Sequence, residues 1–217
     1  RQYQLERDKL CTYLFENGLS LSTEKTHIVL FNNGVDPPVL PIFQINGEDV
    51  EYKRTVKFLG VYLTSKLTWN CHIDYLVTKA RKSLNFLKLI SKQSWGQNVH
   101  VLKLLSLSLV RSRLSYGQEV FFNAPKYLLD KMQSLDCKAF RLALGVPFHA
   151  STLGTYKEIG VLPLDVYRQF AVTKYVLRGT TTDRNVENEV IRSDIHFPKR
   201  AKTINSLTTI NTYTAEL

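Results

Sequence analysis

Lys57-Phe58-Leu59-Gly60-Val61-Tyr62-Leu63, running on through Ser65-Lys66-Leu67-Thr68-Trp69-Asn70-Cys71-His72-Ile73, divides this sequence into two parts of different character. The first half reads as a strand, Val56 to Leu63, with Val56, Phe58 and Gly60 on one face and Lys57, Leu59, Val61 and Leu63 on the other. A glycine within a strand leaves room for another backbone or a ligand to approach. The second half is a short polar connection carrying Trp69 to the start of a long basic helix. A sheet edge with a gap, joined to a basic helix, suits the binding of a polyanion.

Upstream the pattern is mainly β. Residues 3–17 form a short amphipathic helix with Leu10, Tyr13 and Leu14 on one face, closed by Asn17-Gly18. His27 to Phe31 reads as a strand, and Pro37-Pro38 and Pro41 make an irregular connection. Ile42–Ile45 and Val50–Tyr52 flank Asn46-Gly47-Glu48-Asp49, a hairpin signal whose four intervening residues imply a loose turn.

Downstream the period becomes helical. Asn70 serves as N-cap, and Ile73, Leu76, Val77, Ala80, Leu84 and Leu87 make one apolar stripe. Residues 98–115 are apolar around much of their circumference, which implies a helix buried by its neighbours and stopped at Tyr116-Gly117. A helix over 126–144 buries Leu128, Met132, Leu135, Ala139 and Leu142 and ends at Gly145. Ser151 caps a short helix ending at Gly160, and Pro163 starts another that buries Tyr167, Phe170 and Ala171 and runs to Gly179. The threonine-rich residues 180–217 read as a linker or tail. Arg1 falls in mid-helix and the single Met is Met132, so the sequence reads as a piece of a longer polypeptide.

Charge narrows the choice of partner. The formal net charge is +10, with a pI near 9.5, pointing to nucleic acid, an anionic membrane surface or an acidic partner. Residues 1–71 balance at 8 basic and 8 acidic side chains, whereas residues 72–148 hold 12 basic and 4 acidic. The excess therefore belongs to the helical middle. Cys11, Cys71 and Cys137 form no Cys-x-x-Cys pair and have no histidine at metal-ligand spacing, so they read as packing residues of a reduced, intracellular protein. No signal peptide and no apolar run of membrane-spanning length are present.

No active site is written in these residues alone. Glu48-Asp49, the adjacent acidic pair, falls in a predicted turn, and the five histidines never lie at i, i+3 or i+4 to one another. Neither a phosphate-binding glycine loop nor a nucleophile elbow is present.

A family resemblance adds what the residues do not. Asn17-Gly18-Leu19-Ser20-Leu21-Ser22, Lys25-Thr26, Val29-Leu30-Phe31, the Lys57–Leu63 stretch, Leu67-Thr68-Trp69 and His72-Ile73 together resemble the end of the palm in reverse transcriptases of non-LTR, LINE-type retrotransposons, especially the jockey-like group. Leu109 to Gly117 resembles the family's thumb helix. Leu135 to Gly145 with Ser151, and Glu158 to Leu164 with Arg168, resemble the end of that region. The likeness covers roughly residues 5–178, through the order and spacing of motifs rather than any single one.

The resemblance implies an α+β fold: a small antiparallel β remnant of a palm (1–70), a helical thumb bundle (71–178) and a tail (179–217). It places Lys25 on the lysine thought to protonate the leaving pyrophosphate, a general-acid role. Phe58, Leu59 and Gly60 fall on the primer grip; Trp69 could stack on a base or sugar, but such a residue more often anchors a strand-to-helix corner, and packing is the favoured reading. Lys79, Arg81, Lys82, Lys88, Lys92, Lys103, Arg111 and Arg113 would contact phosphates of the template–primer duplex. For the parent enzyme it implies an RNA template, an RNA–DNA duplex, dNTPs and two Mg²⁺ ions, within a nuclear and cytoplasmic ribonucleoprotein. The family's metal-binding carboxylates lie on an earlier Ala-Asp-Asp strand, which has no counterpart in residues 1–31, so this chain alone is expected not to polymerise DNA. The rival reading is a non-catalytic relic or co-opted module that binds nucleic acid or protein. A third, a helical scaffold with incidental charge, would show no salt-sensitive affinity for nucleic acid.

Overall fold

The structure is a computed structural model that describes residues 2–32, 34, 42–45, 47–91 and 97–181. The expected proline-rich connection at 37–41, Lys92 and the tail from 182 lie outside them. The fold is α+β and divides into two compact units, Arg1–His72 and the residues from Ile73 onward.

The first unit opens with α1 (Gln2–Glu16), closed as expected at Asn17-Gly18, where Gly18 takes φ 71° and the Leu19 amide returns to the Leu14 carbonyl at 2.8 Å. Its expected apolar face is not covered: Leu10 and Tyr13 are exposed. The strand read at His27–Phe31 is absent. Only Ile28 bridges, in parallel, to Tyr52, with its amide on the Glu51 carbonyl (3.1 Å) and its carbonyl on the Lys53 amide (2.8 Å).

Two antiparallel hairpins complete the unit, and both correct the reading above. β1 (Gln44–Ile45) pairs with β2 (Glu48–Asp49) in the register Ile45↔Glu48, which leaves a tight two-residue turn, with Gly47 at φ 83°. Glu48 and Asp49 are therefore strand residues. Their carboxylates accept from Thr23 Oγ1 (2.5 Å) and Gln44 Nε2 (2.8 Å).

Val56 to Leu63 is likewise two strands rather than one. β3 (Thr55–Phe58) and β4 (Val61–Thr64) pair in the register Phe58↔Val61 around Leu59-Gly60. Both turn residues have positive φ, 45° and 85°, the condition for a two-residue turn whose twist matches its strands. Directly opposed residues share a face, so Val61 and Leu63 join Val56 and Phe58, and Lys57 joins Tyr62, whose ring lies 5.7 Å from the Lys57 ammonium.

In the second unit the apolar stripe of α2 (Asn70–Ile90) is buried as read, from Ile73 and Leu76 to Leu84 and Leu87. Asn70 is already the first helical residue rather than a cap. The next helix runs as α3 (Val99–Leu105), a π-helical turn (Ser106–Arg111) and α4 (Ser112–Leu114). It is not buried all round: Leu102, Ser106, Val110, Arg111 and Leu114 face inward, whereas Val101 and Leu104 are exposed.

α5 (Lys126–Leu144) ends at Gly145 in the left-handed conformation, and α6 (Thr152–Ile159) is capped by Ser151 Oγ on the Gly154 amide (3.3 Å) and ends at Gly160. α7 (Leu164–Thr181) follows Pro163 and continues two residues past the expected stop at Gly179. It buries Leu164, Arg168 and Val172 rather than Tyr167, Phe170 and Ala171. Leu102, Cys137, Phe140, Ala143, Tyr156 and Ile159 form the core between α3, α5 and α6.

Candidate nucleic-acid interface

α2 supplies the clearest charged surface. Burial of Ile73, Ala80, Leu84 and Leu87 on one side turns Lys79, Arg81, Lys82 and Lys88 to solvent, because residues at helical spacing share a face. Arg81, Lys82 and Lys88 make no ion pair among the described residues. The Lys79 ammonium lies 4.6 Å from the centre of the Tyr75 ring, a contact that steers the side chain and leaves its charge exposed. Lys131 pairs with Asp74 and ties α5 to the first turns of this helix.

The remaining predicted cations separate. Arg113 reaches α2, donating to the Lys79 carbonyl (3.1 Å) and to Ser83 Oγ, which brings it beside Lys79. Lys103 extends toward the carbonyl of Gly160 at the end of α6, 3.5 Å away.

Arg111 is interior. It is only 5 % exposed, and it donates from Nε to Asp136 Oδ1 (3.1 Å) and from Nη2 to Oδ2 (2.5 Å). Its guanidinium carbon lies 4.9, 5.8 and 5.9 Å from the ring centres of Phe140, Tyr156 and Tyr167. Tyr156 adds a hydroxyl donor to Asp136 Oδ2 at 2.8 Å and accepts from Gln133 Nε2 at 3.0 Å. Burial first, and then the Asp136 carboxylate, hold the Tyr156 phenol far above its ordinary pKa, so it stays a donor. Arg111 thus spends its hydrogen bonds on α5 and has none directed at solvent phosphates in this structure.

The π-helical turn accounts for that inward placement. Arg111 lies nine residues after Leu102, which a regular helix would carry to the opposite face. The widened turn shifts the later residues round, so that Leu102, Val110, Arg111 and Leu114 all point to the core. Serines in and beside it bond to nearby carbonyls, Ser108 to Leu105 (3.3 Å) and Ser112 to Ser108, and such bonds compete with the regular ladder.

In the first unit, Phe58 and Leu59 stand 63 % and 77 % exposed at the tip of the β3–β4 hairpin. Leu59 adopts a left-handed conformation that a residue with a Cβ occupies at a cost of roughly 1–2 kcal/mol. Lys25 is exposed on the turn 23–25, where the Thr26 amide returns to the Ser22 carbonyl (3.1 Å). Trp69 is half-buried on the connection into α2. His72 is buried; its Nδ1 accepts the Tyr62 amide of β4 at 3.3 Å, and burial lowers its pKa below the usual histidine value.

Reading for a core stripe also overlooked Phe86 and Leu89. They lie outside the stripe, exposed among the α2 cations.

Among the described residues no group of three or more His, Cys, Asp or Glu side chains could hold a metal ion, so the Mg²⁺ ions implied by the resemblance find no donor set there. No described helix is long and apolar enough to cross a membrane.

No family model and no solved structure matches the chain. Curated proteins do. The chain is 23% identical over 193 residues to the Retrovirus-related Pol polyprotein from type-1 retrotransposable element R1 of Nasonia vitripennis, covering 86% of this chain and 56% of that protein. It is 27% identical over 120 residues to the R1 Pol polyprotein of Bradysia coprophila, covering 53% of this chain and 12% of that protein. It is 28% identical over 162 residues to the RNA-directed DNA polymerase from mobile element jockey of Drosophila melanogaster, covering 73% and 17% respectively. The relatives are thus polymerase-bearing proteins of non-LTR retrotransposons, at modest identity over much of the chain. The chain spans only 12% and 56% of the two R1 proteins.

Proposed function

We propose that this chain positions the primer end and grips the template–primer duplex of an RNA-directed DNA polymerase. The observation that carries the proposal is the exposed row of cations on α2, with Arg113 drawn beside Lys79, in a region whose relatives are Pol polyproteins. A duplex binds such a row by exchanging condensed counterions for ammonium and guanidinium groups, which needs no base contacts and reads no sequence.

The two units then take different tasks. Residues 1–70 act as the end of a palm, with the Phe58-Leu59-Gly60 turn as an apolar tip that holds the primer terminus. Misplacing a reacting hydroxyl by about 1 Å costs on the order of a hundredfold in rate, so a rigid two-residue turn is a suitable support. Residues 71–178 act as the thumb. Lys25 would give a proton to the departing pyrophosphate, and the RNA template, the dNTP and the metal-holding carboxylates belong to the longer polymerase.

Reversing Lys79, Arg81 and Lys82 to glutamate tests the location of the grip, with Lys126, Lys138 and Lys157 reversed together as a control of equal charge change. The α2 triple variant should lose binding to an RNA–DNA hybrid, and the control should keep most of it. Equal losses from both would reduce the interface to net charge and defeat the assignment.

A further inference from the structure

A cavity of about 480 Å³ opens on the helical unit, between the segment Leu107–Tyr116 on one side and Val161, Leu162 and Tyr167 on the other. Its size falls among ligand sites, which run from about 300 to 1,000 Å³. Leu107 and Val161 make the inner wall, partly buried against the core of α3, α5 and α6. Leu162 and Tyr116 form an exposed rim. None of the α2 cations lines it.

Arg111 lines the same cavity while only 5 % exposed. Asp136 occupies Nε and Nη2, which fills one edge of the planar guanidinium. Nη1, on the other edge, makes no hydrogen bond among the described residues. The Tyr167 hydroxyl, also at the cavity, makes none there either. A buried donor without a partner carries a desolvation cost that an incoming acceptor recovers. Asp136 already balances the charge of Arg111, so a second carboxylate beside it would leave a buried excess of negative charge. A neutral carbonyl oxygen fits, with an apolar group next to it for Leu107, Val161 and Leu162.

A peptide residue supplies both groups at that spacing. The open rim favours a peptide over a free small molecule, which a pocket holds by burying about 70–90% of its surface. A longer chain needs only one side chain seated and can leave over Leu162 and Tyr116. Charge selects the flanking residues. Lys103, one helical turn before Leu107, reaches the Gly160 carbonyl beside Val161 and makes no ion pair among the described residues. Residues 72–148 hold 12 basic against 4 acidic side chains, which draws acidic sequence toward this unit. We propose that the cavity docks an extended segment of a partner protein, in which one apolar residue with acidic neighbours seats its side chain against Leu107, Val161 and Leu162 and its carbonyl oxygen on Arg111.

The test is binding of an amidated peptide, Asp-Glu-Gly-Leu-Gly-Glu-Asp with an N-terminal fluorescein, to the full 217-residue chain. A peptide with serine in place of the leucine and a Leu162→Asp variant of the chain run beside it. The leucine peptide should bind roughly tenfold or more tightly than the serine peptide, since burying a leucine side chain carries at least that factor. Leu162→Asp, at an exposed site, should weaken it to a similar degree. In ¹H–¹⁵N spectra the Arg111 Nε–H signal should shift with the leucine peptide and stay in place with the serine peptide. Equal affinity for the two peptides would overturn the proposal and reduce the attraction to net charge. No binding of the leucine peptide at about 1 mM would overturn it as well. So would an unmoved Arg111 signal, or a variant that folds by circular dichroism and binds like the wild type; should the variant not fold, the two peptides decide on the wild-type chain alone. Displacement of the peptide by an RNA–DNA hybrid that itself shifts the Arg111 signal would overturn the proposal by assigning the cavity to nucleic acid.

Discussion

Replacing Arg111 by methionine should unfold the helical unit more readily without touching a nucleic-acid contact. The side chain is 5 % exposed and Asp136 fully buried, and two hydrogen bonds join them. Methionine fills similar volume but strands the Asp136 carboxylate, and removing one partner of a buried ion pair costs about 3–5 kcal/mol. The Tyr156 hydroxyl remains as a donor to Asp136, which favours the lower end of that range. Against a total stability of about 5–15 kcal/mol for a domain, such a loss is large. Pairing the change with Asp136→Leu removes the stranded charge, so the double variant should be more stable than Arg111→Met alone. Urea unfolding followed by circular dichroism reads both, as a lower midpoint with an unchanged slope. Near wild-type stability for Arg111→Met, together with weakened hybrid binding, would refute the reasoning and return Arg111 to the phosphate-contacting set.

Two further perturbations probe the first unit. Leu59→Asn should stabilise the β3–β4 hairpin by about 1 kcal/mol, because Asn-Gly suits a turn with two positive φ values and Leu59 is 77 % exposed; a lowered melting temperature would contradict this. His72 should make folding pH-sensitive. Its folded pKa lies below the unfolded value near 6.5, so the unfolded chain takes up the proton first; the stability present above that value is lost as pH falls through the folded pKa. Urea midpoints across pH 5 to 7 should slope less in His72→Gln, and an identical slope would place the titration elsewhere.

How much of this could be read from residue types depends on whether local signals agreed with packing. The stripe Ile73–Leu87 and the stops at Gly18, Gly145 and Gly160 were legible, since an apolar face and a left-handed glycine act over one or two turns. The Leu59-Gly60 turn was hidden because leucine carries no turn signal, and the alternation of one long strand fits the same letters. Arg111 was grouped with the phosphate-contacting cations through the family resemblance and the regional charge, and neither signal carries the widened turn at Ser106–Arg111 that points it inward. On α7 hydrophobicity misled in the opposite direction. Arg168 lies inside, 8 % exposed, with Asp165 and Asp130 offsetting the desolvation that lowers its pKa, while Phe170 is 63 % exposed. Of the candidate interface, the exposed lysines and Arg81 of α2 were legible from composition. The separation of Arg111 from Arg113 was not, because Asp136 lies 25 positions away in sequence.

The most direct test of the duplex grip is the affinity of the unaltered chain for an RNA–DNA hybrid measured across a salt series. Lys79, Arg81 and Lys82 alone would neutralise about three phosphates, so the logarithm of the association constant should fall against the logarithm of salt with a slope of roughly −3 or steeper. A flat profile, or no binding at low salt, would contradict the account and leave the basic face of α2 as solvated surface.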